Sequence, residues 1–427
     1  MAKKPKFQRP TGMYDILPED QKYFQKVLRA CEGAAEFYGF EKIDTPVLEE
    51  TALFEKGTGL STDIVQKEMY SLRTKGGDYL TLRPEWTPGI VRAYIEHGMF
   101  NLPQPVKLWH FGPVFRHERP QAGRLREFKQ FGFEVFGEVS SVIDAQIIQI
   151  FCNILKELRL KNIVVEINSI GDSKCRPYYK KMLVSYFRSR EQGLCSDCRR
   201  RLRENPLRIL DCKEEKCRFL VSQAPQLIDH LCEECHSHFK EVLEFLDELE
   251  IPYHLNPYLV RGLDYYTKTA FEIYENSHEG RQQGALPSGG RYDNLVKHLG
   301  GKDTPASGGA SGVERIVNLL KARGLKFPQP PSPKIFLAQL GSLAKRKGVK
   351  LMENFRKERI PVAESFGRDS LKAQMARANK LGVEYTLILG QREALEGEII
   401  VRDMENGNQT TVKLDEAVAE MEKRAKK

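Results

Sequence analysis

GPVFRHERPQAGRLREFKQFGFEVF, residues 112–136, reads as strand, basic turn, strand. The second strand carries the information. Successive side chains of a strand point to opposite faces. Phe128, Gln130, Gly132 and Glu134 therefore share one face, and Lys129, Phe131, Phe133 and Val135 the other. The first face sets an amide and a carboxylate among aromatics, and polar groups taken out of water need partners. A small polar ligand on the strand supplies them, and Gly132 leaves it room; the plain alternative is a half-exposed sheet face. Just upstream, Arg116, Arg119, Arg124 and Arg126 project from the turn, with His117 and Glu118 among them. Guanidinium forks match phosphate oxygens. Two strands joined by such a loop can grip a triphosphate and reach a nucleic-acid end. The alternative is a solvated charged hairpin, and His117 alone reads as a surface residue.

The rest of the chain sets the frame. Its 427 residues allow two or three domains, and 41% hydrophobic with 29% charged residues fits a globular protein. The net charge of +9 permits nucleic-acid contact without demonstrating it. No uncharged apolar run reaches the roughly 20 residues of a membrane span. No apolar segment follows the basic start MAKKPKFQRPTG, so no export signal is expected and the compartment reads as cytoplasmic. Nine cysteines, an odd count in a long chain, argue against a disulfide framework.

Outward from the hairpin, residues 18–38 show helical spacing closed by Gly39, a second helix is expected near 142–158, and IVVEINSIG (163–171) is a strand. Residues 172–250 change character. They hold seven of the nine cysteines and the run RRRLR (199–203), with helical periodicity, and read as an inserted helical unit. FPQPPSPK (327–334) is a proline-stiffened linker. After it, KIFLAQL, PVAESF, YTLILG and EIIVRD alternate with helical stretches, which implies a small α/β domain. From residue 332 onward it has 19 Lys and Arg against 14 Asp and Glu.

Other constellations are weaker alone. Arg261 stands just before a strand in RGLDYYTKTAFEIYE; read as strand, Tyr265 and Tyr266 face opposite ways, so at most one meets a given ligand. GGRYD (289–293) reads as a glycine-forced turn presenting Tyr292. GASGVERIVNLL puts glycines before a helix with Glu314 and Arg315 in its first turn, a place that attracts phosphate. It contains neither a P-loop nor a dinucleotide fingerprint. Cys195-x-x-Cys198 with Cys212 and Cys217 matches a four-thiolate zinc pattern, although the second spacing is loose. Cys232-x-x-Cys235, His236 and His238 offer further ligands. Reduced cysteines in a helical insertion, with no metal, are the preferred reading.

The order of these motifs says more than any one of them. TPVLEE, TLRPEWT, GPVFRHERPQAGRLREFKQFGFEVFG, VRGLDYYT, SGGRYD and GVERI follow one another as in the histidyl-tRNA synthetases, a class II aminoacyl-tRNA synthetase family, and the chain resembles that family over nearly its whole length. The tail, with FLAQLG, GRDSLKAQMARANKLG and YTLILG, is similar to the family's anticodon-binding domain. The resemblance implies an α+β fold with an antiparallel sheet flanked by helices. The catalytic domain would span 1–326 with the insertion at about 172–250, followed by a linker at 327–333 and an anticodon-binding domain at 334–427. It also implies a homodimer, with TPVLEE near the interface, and ATP with Mg2+, L-histidine and tRNA(His) as partners, with no membrane involved.

Residue by residue, the resemblance implies that Glu85, Thr87 and Gln130 serve the amino and backbone side of histidine. Glu134 and Tyr266 belong at the imidazole, with Tyr265 adjacent and Tyr292 lining the pocket. Arg116 and Arg261 act on the α-phosphate as the catalytic pair. Phe128 stacks on adenine, Arg315 covers adenine and the γ-phosphate, and Glu118 and Arg124 complete the ATP site. Arg119 and Gln121 meet the tRNA acceptor end. Two positions depart from the family. Trp86 stands where a small residue is usual and is expected to narrow the entrance, and GGASG (308–312) replaces bulkier apolar residues. A non-catalytic relative, the synthetase-like regulatory subunit of ATP phosphoribosyltransferase, is the alternative. It usually lacks the tail and has degraded arginine motifs, whereas Arg116, Arg261, Arg315 and the tail are all present here.

Overall fold

The computed structural model describes residues 7–60, 62–120, 123–278, 280, 284–327, 333–367 and 369–425. The chain forms two compact units, Met1–Phe327 and Pro328–Lys427.

The first unit is built on an eight-stranded sheet. Its strands lie in the order Glu41–Lys42, Val106–Phe115, Glu127–Phe136, Ala306–Gly312, Pro287–Arg291, Thr267–Glu275, Ile163–Ser169, Tyr253–Leu255. The six inner strands pair antiparallel, and the two short edge strands pair parallel. The Glu127–Phe136 strand is central, with Glu134 opposite Leu108 on one side and Gly308 on the other. Alternation works as the sequence implies: Phe131, Phe133 and Val135 are buried in one core with the helices Pro18–Tyr38, Ser141–Glu157, Glu233–Glu248 and Val313–Ala322. Each buried phenylalanine contributes about 1.5–3 kcal/mol by leaving water. Gly39 closes the first helix in the left-handed region at φ 71°.

The opposite face is covered differently. The insertion is mostly helical, with helices Arg176–Arg188, Ser196–Glu204, Glu215–Val221 and Glu233–Glu248. Its buried Tyr179, Leu183, Phe187, Leu202 and Val221 share a second core with Trp86, Tyr265, Tyr266 and Tyr292. A three-stranded sheet of Leu48–Glu50, Tyr79–Leu82 and Tyr70–Arg73 completes this unit.

Two expectations change. GGRYD does not open a turn: Gly289 and Gly290 lie in the Pro287–Arg291 strand. A Cβ at Gly289 would come within 2.2 Å of the Gly308 carbonyl oxygen, so the glycine serves close strand approach. Nor does Gly132 leave room for a ligand. A Cβ there would meet His110 Nε2 at 2.5 Å, and the buried His110 ring takes the space.

The second unit has a five-stranded sheet in the order Val362–Glu364, Ile335–Gln339, Tyr385–Leu389, Glu398–Asp403, Gln409–Lys413. Its first three strands are parallel and its last pairings antiparallel. The helices Ser342–Lys357, Leu371–Leu381 and Ala417–Ala425 accompany the sheet, as the strand–helix alternation implies.

Candidate active site

A cleft of about 340 Å³ opens on the Gln130 face of the central strand. Arg116, Arg124, Arg261 and Arg315 line it together with Glu85, Thr87, Phe128, Gln130, Tyr265 and Tyr266. The fold brings them from four separate segments of the chain, 85–87, 116–130, 261–266 and 315, which is why no single motif reveals the site.

Glu85 lies at its floor and Glu134 just behind it, two buried carboxylates held by hydroxyls. Glu85 accepts hydrogen bonds from Thr58 Oγ1 and, at 2.8 Å, from Tyr265 Oη. Glu134 accepts from Thr87 Oγ1 at 2.9 Å and from Tyr292 Oη. Thr87 is in place because it starts the helix Thr87–Glu96. Burial raises the Glu85 carboxyl and pushes Glu134 up to about 8. Glu134 and Tyr292 form the layer directly beneath the residues that line the cleft.

Tyr265 and Tyr266 do not point to opposite faces. The strand begins only at Thr267, so both tyrosines lie in the preceding turn, where alternation does not apply. Both line the cleft, with ring centroids 4.6 Å apart, and Tyr292 packs against them at 5.6 and 6.3 Å.

The arginines form the other wall. Arg261 donates to Glu272 Oε1 at 2.6 Å and to Ser288 Oγ at 2.9 Å, and its guanidinium lies 5.1 Å from the Tyr266 ring centroid. Arg116 donates from Nε to the Pro84 carbonyl at 2.9 Å and sits 5.6 Å from the Phe128 ring. Arg124 pairs with Glu118 at 3.0 Å. Arg315 donates to the carbonyls of Gly123 and Ala285. Burial, and the like charges of Arg116 and Arg124, hold Arg315 below its ordinary pKa. Cations crowded in this way favour a polyanion between them.

Three members of the site have no role assigned from the sequence, although Glu314 stands out beside Arg315. Glu272 positions Arg261. Glu314 accepts the Lys129 amide at 2.8 Å and the Tyr14 hydroxyl at 3.0 Å, which ties the helix carrying Arg315 to the central strand. Burial pushes Glu314 up to about 6. Thr58 is the third. A lone acid or hydroxyl carries no signal in a sequence until the fold gives it a neighbour. Arg119 is exposed and outside the cleft lining, and Gln121 lies outside the described residues. Trp86 does not narrow the entrance. It is 1% exposed, stacked on His110 at 4.5 Å, with the Arg83 guanidinium 3.4 Å from its ring centroid.

The cysteines converge in the insertion. The sulfurs of Cys195, Cys198, Cys212 and Cys217 all lie within 4.8 Å of one another, a donor set and spacing that fit tetrahedral zinc. The histidines proposed beside Cys232 and Cys235 do not join them: His236 is exposed, and His238 bonds Asp144 at 2.8 Å.

Comparison with known proteins agrees with this geometry. A family model described as histidyl-tRNA synthetase matches residues 12–316, and an anticodon-binding domain model matches 334–424. The chain is 44% identical over 417 residues to a histidine–tRNA ligase of Dehalococcoides mccartyi, covering 98% of this chain and 99% of that protein. It is 42% identical over 414 residues to a histidine–tRNA ligase of Halothermothrix orenii, covering 97% and 98%. Apo histidyl-tRNA synthetase of Staphylococcus aureus superposes with a TM-score of 0.80 at 34% identity, covering 97% of this chain and 99% of the other. By fold and by descent, the chain belongs to the histidyl-tRNA synthetase family.

Proposed function

We propose that the chain is a histidine–tRNA ligase, which activates L-histidine with ATP and transfers the histidyl group to the 3′ end of tRNA(His). One observation carries this reading: Glu85, Tyr265 and Tyr266 line a single cleft together with four arginines, and Glu134 is bonded to the cleft residue Thr87. Imidazole presents one N–H donor and one acceptor nitrogen. Glu134 and the tyrosines supply the matching groups. Glu85, Thr87 and Gln130 supply oxygens for the amino group. A site built to hydrogen-bond a polar side chain rejects analogues that would leave its buried groups unpaired.

In the first step a carboxylate oxygen of histidine attacks the α-phosphorus of ATP. The bond to the bridging oxygen breaks, and its electron pair leaves with pyrophosphate. Arg116 and Arg261 stabilise the charge on the transferred phosphorus centre, fixed in place by Pro84, Glu272 and Ser288 before the reaction begins. Arg124 and Arg315 bind the outer phosphates, and Phe128 offers its face to adenine. In the second step a ribose hydroxyl at the tRNA terminus adds to the histidyl carbonyl, loses its proton, and AMP departs. Arg119 and Gln121 are assigned to the tRNA end. Mg2+ takes oxygen ligands, usually one or two carboxylates and substrate phosphates. Glu118 and Glu272 in the cleft fit that donor set, and the ion would neutralise charge on the phosphates.

Three coarser features join this reading. The second unit, Pro328–Lys427, reads the anticodon. The protein acts as a homodimer: Val47, Leu48, Leu72 and Tyr79, on or beside the three-stranded sheet, are exposed apolar residues that a second copy would cover. It works in the cytoplasm, where nine unpaired cysteines suit a reducing milieu. No described helix is long and apolar enough to cross a membrane. Charging of tRNA(His) with labelled histidine tests the whole. Acylated tRNA is expected; ATP and histidine binding with no acylation would point instead to the regulatory relative.

A further inference from the structure

The three other cysteines of the insertion converge at a second place. Cys175, Cys232 and Cys235 meet Asp172, with one ligand atom from each, and all four atoms lie within 4.8 Å of one another. Cys175 Sγ is 3.5 Å from Cys232 Sγ and 3.3 Å from Asp172 Oδ1. We infer that Asp172, Cys175, Cys232 and Cys235 bind a second zinc ion, so that the insertion is a two-zinc module clasped at its base.

The spacing carries the argument. A Zn–S bond of about 2.3 Å puts tetrahedral ligand atoms about 3.8 Å apart. The sulfur pairs stand at 3.5 Å here and at 3.9 Å in the first cluster, Cys195 to Cys212. A disulfide needs about 2.05 Å. Three sulfurs with a carboxylate also leave a disulfide with an orphan thiol and an acid, whereas a tetrahedral ion uses all four. The surroundings resemble those of the first cluster. There the amides of Cys195 and Cys198 point at sulfur, at 3.2 and 3.4 Å; here the amide of Cys232 points at Cys175 Sγ at 3.4 Å. Amides aimed at sulfur stabilise thiolates and orient metal ligands. The Asp172 carboxylate is held by the amides of Lys174 at 2.8 Å and Cys175 at 3.3 Å, which fixes Oδ1 toward the sulfurs.

The position gives the ion a task. Asp172 and Cys175 follow the Ile163–Ser169 strand, and Cys232 precedes the Glu233–Glu248 helix, so the ion would join the start of the insertion to its last helix, with Cys175 and Cys232 57 residues apart. The same base touches the cleft. Arg176 donates to the carbonyls of Ile170 and Tyr266, and the Lys268 amide donates to Gly171 at 2.8 Å. A clasp here fixes the turn that carries Tyr265 and Tyr266.

Zinc content of the full-length chain, purified from zinc-supplemented cells without chelators, tests the inference. Two zinc ions per chain are expected. Cys232→Ser/Cys235→Ser should carry one, and Cys195→Ser/Cys198→Ser should carry the other. If either variant fails to fold, mercurial titration of the wild-type chain against a chromogenic zinc indicator should still release two equivalents. Substitution of Asp172 by Ala should lower affinity at one site only. A single zinc that disappears with Cys195→Ser/Cys198→Ser overturns the second centre. So does a count of seven free thiols in the denatured chain, which would mean a Cys175–Cys232 disulfide.

Discussion

Glu134 shows how one carboxyl can serve recognition at the cost of stability. Its burial pushes it up to about 8 from an ordinary value of 4.5, so between those pH values the folded chain holds a proton that the unfolded chain has lost. The unfolded state binds fewer protons, and stability therefore falls as pH rises through that window. In Glu134→Gln this fall should flatten: thermal melts of the ligand-free variant should lose less between pH 6 and pH 9 than wild type, while histidine activation is lost. Equal slopes in the two proteins would count against the buried, strained acid. Arg261 makes the complementary point. Its removal should cost about 10²–10³ in the rate of adenylate formation, as with other fixed charge stabilisers. Pyrophosphate exchange with Arg261→Ala reads this directly, and near wild-type rates would refute the role. Strand alternation puts Gln130 and Glu134 on one face, and in the structure Gln130 lines the cleft while Glu134 lies beneath the lining. Tyr265 and Tyr266 were misread because strand periodicity was extended one turn too far.

Strands with almost no side chains set the scale above. Gly308 lies opposite Glu134, and a Cβ there would stand 1.7 Å from Glu134 Oε2. Gly308→Ala should therefore displace the Glu134 carboxylate, raise the KM for histidine far more than that for ATP, and cost about 1–3 kcal/mol by overpacking. An unchanged histidine KM would show that Glu134 does not depend on this close approach. One strand away, Arg291 is fully buried and pairs with Asp144 at 3.0 Å, while His238 holds the other carboxylate oxygen at 2.8 Å. Against the burial that would raise it, Arg291 and His238 keep the Asp144 carboxyl well below its ordinary 3.8. Its stabilisation is therefore present above that pH and lost as pH falls below it. Removing one partner of such a set leaves an unpaired buried charge and costs about 3–5 kcal/mol. Chemical denaturation of Asp144→Ala should show that loss, and a change under 1 kcal/mol would contradict it. In the sequence, GGRYD pointed to Tyr292. Arg291 gives no sign of its structural task, because Asp144 lies 147 residues away in the sequence.

The molecule as a whole divides its labour along the chain. Periodicity outlines the helices 18–38 and 142–158 closely, and the chain divides into its two units after Phe327. Local signals of that kind depend on neighbours in sequence. The cleft depends on strands in the order of the sheet, which scrambles the order of the chain, so its pieces were individually weak and only their succession was telling. The insertion reads as helical, and each cysteine cluster contains a visible C-x-x-C pair, whereas Asp172 and Cys175, which complete the second cluster, stand 57 residues or more before Cys232 and carry no local signal. The account stands or falls on the cleft seating a free histidine beneath the arginines. ATP–pyrophosphate exchange, run with each of the twenty amino acids in turn, asks this most directly. Exchange that is robust with histidine and at background with the other nineteen is the predicted result. Exchange that is absent with histidine, or equally fast with another amino acid, would contradict the account.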